Sequence, residues 1–223
     1  IVDHETGTRD LRKLSGLWAF MPHTATLAMI AAASMAGVPL LNGFLSKEMF
    51  FERALDINTL SIGILIPILA TIAGIFSVAY SLKFVHNIFF FGKTKKLQKT
   101  PHEPPRFMKI PVDLLVIICF LVGTVPALTI APLLATAVMG SLQTTLPEYS
   151  LAIWHGFNAP LIMSIIAFIL GIFLYTKREK TTAIFEKYFE KIDARVPFYL
   201  LVESIFKLSN KVTSIFDKSS LQS

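Results

Sequence analysis

A lysine and a glutamate stand side by side at the end of an apolar stretch that contains residues a continuous helix avoids. Residues 37–48 read G-V-P-L-L-N-G-F-L-S-K-E, and Lys47 and Glu48 are the last two. A charged side chain at membrane depth costs about 2.5–3.5 kcal/mol on insertion scales, so a chain keeps one there with a use or a partner. Helix-breaking residues precede the pair at Gly37, Pro39 and Gly43. The stretch therefore predicts a broken transmembrane helix with an ionisable residue near its break.

Lys47 admits two interpretations on physical grounds alone. In a partly hydrated place of low polarity, a lysine can exchange its proton within reach of physiological pH, and Lys47 would then be a proton carrier. Glu48 could balance its charge, although adjacent residues on a helix do not face each other. Alternatively, Lys47 lies near a helix end and extends its ammonium group to the aqueous interface. The residues alone leave both interpretations open.

Three further basic residues are candidates for a proton path. Lys83 and His86 follow Tyr80 at intervals of three residues near the end of a long apolar run, so the three share one helix face. They predict a proton path or its mouth, but they also fit a positive anchor next to the membrane. His23 follows Pro22 and is either a relay histidine or a histidine at the start of a helix.

The composition indicates an integral membrane protein. Of its 223 residues, 53% are hydrophobic and 16% are charged, with a mean hydropathy of +0.61, whereas soluble domains are about a quarter charged. Cys119 is the one cysteine, which excludes a disulfide within the chain and a metal site built of cysteines. The sequence contains no phosphate-binding loop, metal-ligand spacing or nucleophile motif, so we expect neither a cofactor nor an enzyme.

Apolar runs predict an all-α fold, a polytopic transmembrane helix bundle with one broken helix. After a polar loop at 1–17, the predicted spans cover 18–36, 37–56 (the broken one), 60–91, 110–139 and 152–175. Asp113 lies at the start of the fourth span, where it would cap the helix or face lipid headgroups. The chain starts with Ile1 rather than Met, in a polar loop, so we expect it to be part of a longer polypeptide.

Two basic segments predict the orientation. Residues 92–109 carry six lysines and arginines against one acid, and Lys177, Arg178 and Lys180 follow the fifth span. Such segments stay on the cytoplasmic side, and these two lie two spans apart, so they agree. Counting spans back from them predicts that 1–17 lies on the outer side.

Residues 176–223 differ from the predicted spans. Apolar residues recur there at helical spacing, and acidic and basic residues alternate between them. This pattern predicts an amphipathic lateral helix on the cytoplasmic side, lying along the interface or across neighbouring helices. Pro197 kinks or restarts it.

Four segments together resemble one family of transporters. They read D-H-E-T-G-T-R-D-L-R-K-L-S-G-L at 3–17, M-P-H-T-A at 21–25, A-A-A-S-M-A-G-V-P-L-L-N-G-F-L-S-K-E at 31–48 and W-H-G-F-N at 154–158. In them the chain is similar to the large A subunits of Mrp-type multisubunit sodium/proton antiporters. Those subunits are similar to the large antiporter-like subunit of respiratory complex I. The specific match covers the first fifty residues, and this chain would be the later part of the antiporter-like module.

The resemblance implies roles for the matching residues. Lys47 matches the lysine on the family's second broken helix, a terminal proton-carrying site, and Glu48 takes the acid position beside it. Lys83 matches a basic position on the following helix. Residues 181–220 resemble the start of a lateral helix that clamps neighbouring helices.

The resemblance also implies a function and partners. The chain would be a secondary transporter subunit in a bacterial plasma membrane, surrounded by lipid and by other subunits of an antiporter complex. That complex would exchange cytoplasmic Na⁺ for external H⁺, with no cofactor and no nucleic acid. Two alternatives stay open. One is a proton-pumping subunit of a complex I (NADH:quinone oxidoreductase) or a related hydrogenase, and the other is a membrane scaffold that transports nothing.

Overall fold

The computed structural model confirms the all-α fold. It describes residues 1–57, 63–92, 97, 99–142, 151–152, 154, 156–189 and 195–216, and these residues contain no strand. The helices are α1 (Val2–Thr6), α2 (Pro22–Ala36), α3 (Asn42–Leu55), α4 (Leu65–Val85), α5 (Arg106–Thr124), α6 (Pro126–Thr129), α7 (Ala131–Leu142), α8 (Ala159–Thr176), α9 (Arg178–Phe189) and α10 (Arg195–Phe216). A π-helical turn at His86–Phe90 continues α4.

The chain divides into two compact units, Ile1–Thr176 and Lys177–Ser223. The first unit contains α1 to α8. In its described part, three helical segments are long and apolar enough to cross a membrane: Leu65–Phe90, Arg106–Thr124 and Ala159–Thr176. The second unit contains α9 and α10. Most of the described apolar side chains of α10 are exposed, among them Phe198, Leu201 and Phe206. The lateral position of this segment stays a prediction.

Helices α2 and α3 are each too short to cross a membrane alone. Their 15 and 14 residues span about 22 and 21 Å, against a hydrocarbon core of about 30 Å. They run in succession beside α4 in the opposite direction. Trp18, just before α2, stacks on Phe90 at a centroid distance of 5.2 Å, and Phe51 and Ala54 of α3 pack on Ala70 near the start of α4. Together they make one interrupted traverse of the bundle.

The bounds of the first two predicted spans, 18–36 and 37–56, are therefore corrected. The break at 37–41 separates two half-length helices instead of interrupting a second full span. Gly37 ends α2 and Pro39 lies in the interruption, whereas Gly43 lies inside α3. The sequence analysis counted the apolar run on each side as a complete crossing.

The first twenty residues and residues 99–105 of the basic loop lie at the same end of the bundle. Lys99 Nζ donates to His4 O at 3.3 Å, and His102 Nδ1 lies 3.1 Å from Oε2 of the buried Glu5. An apolar cluster adds to these contacts, formed by Leu14, Leu17, Met21, Ala25, Ile88 and Phe89. These contacts contradict the prediction that 1–17 and 92–109 lie on opposite sides of the membrane. The error arose because one interrupted helix was counted as two spans, which reverses the side assigned to each segment before it.

Short polar contacts also shape the first seventeen residues. Arg12 donates to both carboxylate oxygens of Asp10, at 3.0 and 3.1 Å. These hydrogen bonds hold the pKa of Asp10 below its usual value. Both side chains face water, where such pairs contribute little to stability.

Small residues allow α4 and α8 to pack closely. A Cβ atom on Gly74 would lie 3.1 Å from Ala167 Cβ, and one on Gly171 would lie 2.6 Å from Val78 Cβ. Position 74 of α4 faces position 167 of α8, and position 78 faces position 171. Because the residue numbers rise together, the two helices are parallel. Close backbone approach through small residues is typical of helix packing in membranes.

Helix α5 ends against the interruption between α2 and α3. A Cβ atom on Gly123 would lie 2.4 Å from Leu40 O. Val125 then leaves the helical conformation, with φ −132°, and α6 and α7 follow. The predicted fourth span, 110–139, is thus divided near Pro126 and Pro132. The start of the predicted third span, at 60–62, and His155 of the W-H-G-F-N run lie outside the described residues.

The revised topology can be tested by cysteine labelling of the protein in membrane vesicles. With Cys119 replaced by Ser, Arg12→Cys and Lys99→Cys should react with a membrane-impermeant maleimide in the same vesicle orientation, because their segments share one end of the bundle. Asp56→Cys, at the end of α3, should react in the opposite orientation. Labelling of positions 12 and 56 from one side would contradict the single interrupted traverse.

Candidate functional site

The end of α2 presents backbone carbonyls that no further helical turn can bond. Gly37 ends the helix in the left-handed conformation, with φ +87°. Its N–H donates to Ala33 O and Ser34 O at 3.1 and 2.9 Å, and Val38 N–H donates to Ala33 O at 2.9 Å. This is a Schellman motif, and it satisfies two of the last four carbonyls.

Side chains from two other helices satisfy the other two carbonyls. Ser77 Oγ of α4 donates to Met35 O at 2.8 Å. Lys47 Nζ of α3 donates to Ala36 O at 2.7 Å. The amino group of the partly buried Lys47 side chain thus lies at the C-terminal end of α2, where the helix dipole favours a cation.

The last turn of α2 also holds the start of α3. Gly43 N–H donates to Ser34 Oγ at 3.1 Å, and Ser34 Oγ donates to Asn42 Oδ1 at 2.6 Å. Ser34 therefore provides the N-cap that Leu41 does not supply. Gly43 fits because it has no side chain: a Cβ atom there would lie 1.8 Å from Ser34 O.

A tight turn connects the two helices. Leu41 N–H donates to Val38 O at 3.4 Å, and Pro39 and Leu40 take the two central positions. Leu40 has φ +70°, the conformation that a type II turn requires at its third residue and that glycine usually supplies. The interruption therefore stores backbone strain at a residue other than glycine.

Glu48 lies on a different face of α3 from Lys47. It is 5% exposed and lines a cavity of about 80 Å³ together with Glu52, Asn158 and Pro160. Adjacent residues on a helix point in different directions, so the two charges are not brought face to face. In the described part of the chain, no group of His, Cys, Asp and Glu side chains is arranged to hold a metal ion.

The start of α2 is capped by a distant carboxylate. Glu103 Oε1 accepts hydrogen bonds from His23 N–H at 2.7 Å and from Thr24 N–H at 3.2 Å. Its Oε2 accepts from Thr24 Oγ1 at 3.2 Å and lies 3.9 Å from Lys109 Nζ. The Met21 side chain, at the N-cap position, makes no such bond. Glu103 therefore supplies the capping hydrogen bonds, and its negative charge complements the helix dipole.

Two of the predicted histidines have partners on other helices. His23 Nε2 lies 2.8 Å from Asp113 Oδ1 of α5. His86 Nδ1 lies 2.5 Å from the Tyr175 hydroxyl of α8, where α4 passes into its π-helical turn. Such turns occur frequently at functional sites. Lys83, one turn earlier, is exposed.

The predicted site residues form separate groups. Lys47 packs on Gly37, where a Cβ atom would lie 2.7 Å from Lys47 Cδ. Lys47, His86 and His23 make their described hydrogen bonds to different partners, which are Ala36 O, the Tyr175 hydroxyl and Asp113 Oδ1. Glu48 and Lys83 are the other candidates. Their place on a common proton pathway stays a prediction.

The sequence analysis missed Ser77, Glu103 and Tyr175. Ser77 gave a usable signal, since it is a polar residue inside a long apolar run. Glu103 gave another, as the one acid of a basic loop. Tyr175 offered no signal, because an aromatic residue at the end of a span is already expected at the interface.

Comparisons with known proteins give consistent results. The family model "NADH:quinone oxidoreductase/Mrp antiporter, TM" matches residues 1–75. The probable A/B subunit of a K⁺/H⁺ antiporter of Rhizobium meliloti is 56% identical over 176 residues, covering 78% of this chain and 18% of the relative. The A subunit of a Na⁺/H⁺ antiporter of Bacillus subtilis is 34% identical over 225 residues, covering 96% of this chain and 28% of the relative.

A solved structure also matches the fold. A chain of the Mrp complex from Dietzia sp. DQ12-45-1b superposes with a TM-score of 0.76 at 30% identity, over 99% of this chain and 24% of that one. The present chain therefore spans between 18% and 28% of the length of these proteins.

Glycine substitutions test the close contact between α2 and α3. Gly43→Ala should destabilise the protein by about 1–3 kcal/mol, because the added methyl group overlaps Ser34 O and forces the two helices apart. Gly140→Ala in α7 is the matched control, since a Cβ atom there meets no atom within 4 Å. Thermal denaturation in detergent should show a lower midpoint for the first variant alone. Equal midpoints would contradict the described contact.

Proposed function

Because this chain belongs to the family of Mrp-type antiporter A subunits, we propose that it forms a proton-carrying part of a monovalent cation/proton antiporter. Lys47 is the protonatable site of this part. The transporter works as a multisubunit complex in the plasma membrane of a bacterium, and lipid surrounds the apolar helices. It is a secondary transporter rather than an enzyme.

The observation that carries the proposal is the hydrogen bond from Lys47 Nζ to Ala36 O at 2.7 Å. An anchoring lysine would extend from a helix end towards water, whereas this one is directed at the middle of an interrupted helix. Broken helices at membrane depth are tolerated where they line a protein or water-filled interior. Transporters of several folds place ion sites at such helix ends.

The geometry fits a group that gains and loses a proton in place. An ammonium group has three N–H donors and a neutral amine has two, so Lys47 can keep its bond to Ala36 O in both states. The C-terminal end of α2 stabilises the charged state through its partial negative charge. Neighbouring charges that approach or withdraw would then shift the balance between the two states.

Room for water lies beside the interruption. A cavity of about 210 Å³ is lined by Ala36 and Val38, by Ser81 of α4, and by α8 residues that include Phe168. This volume exceeds the share of several water molecules, at about 30 Å³ each. Its lining is almost entirely apolar, so we propose that water enters it transiently.

The transported cation is Na⁺ or K⁺. The sequence analysis favoured Na⁺, and the B. subtilis relative bears a Na⁺/H⁺ name. The R. meliloti relative, at the higher identity of 56%, bears a K⁺/H⁺ name. We therefore propose exchange of a monovalent cation against H⁺ and include both ions in the test. The basic end of the bundle, with 1–17, faces the cytoplasm.

A redox-driven proton pump is the second candidate, since the matching family model includes NADH:quinone oxidoreductase. Such a pump would use the same protonatable lysine and would need an electron donor. Exchange measured without NADH or quinone separates the two functions.

The test uses the complete complex in inverted vesicles with an imposed proton gradient and either Na⁺ or K⁺. Lys47→Gln retains a donor for Ala36 O but does not titrate, so we expect exchange to fall about tenfold or more while the protein components still co-purify. Lys207→Gln is the control, because that lysine pairs with Glu203 on an exposed face of α10. Unchanged exchange in Lys47→Gln would refute its role and favour a scaffold.

A further inference from the structure

A second acid–base pair lies at the opposite end of α2 from Lys47. His23 Nε2 and Asp113 Oδ1 are 2.8 Å apart, and their side chains are 49% and 35% exposed. Each side chain is therefore accessible to water while held by the other. Half-exposed histidine–carboxylate pairs can exchange protons with solvent, unlike the fully enclosed pairs of a structural core.

The backbone of His23 is fixed independently of its side chain. Glu103 Oε1 accepts the His23 N–H at 2.7 Å and the Thr24 N–H at 3.2 Å. Lys109 Nζ, 3.9 Å from Glu103 Oε2, is the cation nearest to this carboxylate among the described contacts. The backbone of His23 is thus held by the segment before α5, and its imidazole by α5 itself.

The hydrogen-bond donors determine which nitrogen takes up a proton. An ionised Asp113 only accepts, so Nε2 of His23 carries the hydrogen in the bond between them. Proton uptake then occurs at Nδ1: a hydronium ion or buffer acid gives up one proton, and the neutral imidazole becomes imidazolium. The charge of the pair changes from −1 to 0. Release to a base reverses the step, and no further reactant is needed.

We propose that His23 and Asp113 form the proton-exchange site of this module at its basic end, with Asp113 orienting the imidazole and Glu103 positioning the helix start. The proposal rests on the proposed antiporter function. His23 is separated from Ala36, the contact of Lys47, by the length of α2, about 20 Å at the helical rise. The pair therefore passes protons between water and the interior, and does not transfer them to Lys47 directly.

Chemical rescue separates proton transfer from a structural role. In the complete complex in inverted vesicles at low buffer concentration, His23→Ala should slow cation/proton exchange about tenfold or more. Added imidazole should restore most of the rate, since a soluble base replaces the missing one. Asp113→Asn should be slowed as well, because the amide no longer fixes the hydrogen on Nε2. Asp56→Asn is the control, an exposed carboxylate that pairs with Arg53 at 2.9 Å, and should match wild type.

Each outcome decides the proposal. Slow exchange that imidazole does not restore, with normal co-purification of the complex, would overturn it, and so would exchange at the wild-type rate. If His23→Ala fails to assemble, His23→Gln gives the same comparison with a side chain of similar reach. Wild-type vesicles without exchange would refute the antiporter function itself. If Lys47→Gln loses exchange while His23→Ala exchanges at the wild-type rate, this inference alone is refuted.

Discussion

The structure depends on how a helix can end in the interior of the bundle, away from the ends where its last carbonyls would face water. Helix α2 stops at Ala36, in the middle of a traverse, and each of its four final carbonyls needs a donor from the protein. A glycine turn supplies two donors, Ser77 supplies the third and Lys47 the fourth. The amino group of Lys47 thus has a structural role, because it bonds the last carbonyl of α2. Its removal affects the helix end as well as any proton chemistry.

Helix α2 is stabilised at both ends by side chains from outside the helix. Glu103 lies at its positive end and Lys47 at its negative end, so each complements the helix dipole. Three helices therefore set its position: α3 through Lys47, α4 through Ser77, and α5 through Asp113 and the preceding Glu103. The two candidate proton sites, at the ends of one short rigid element, share this support.

The sequence predicted local features well and long-range ones poorly. Gly37 and Pro39 were identified as helix breakers because a glycine or proline acts on its own turn. Composition likewise predicted long apolar helices, although the fourth predicted span is divided near Pro126 and Pro132. The predicted membrane side of residues 1–17 was wrong, because the correct assignment depends on α2 and α3 forming one traverse together. Glu103 and Ser77 act on partners 79 and 42 residues away, and no local pattern contains such pairs.

The contact of Gly123 with the turn before α3 has an evolutionary consequence. Because a methyl group at position 123 would overlap Leu40 O and the Leu41 backbone, α5 can acquire a side chain there only if the turn changes its path. Glycine at position 40 would relax the strained turn but would not create that space. Substitutions at 123 and in 38–41 should therefore appear together in related sequences, as compensated pairs, although more than eighty residues separate them along the chain.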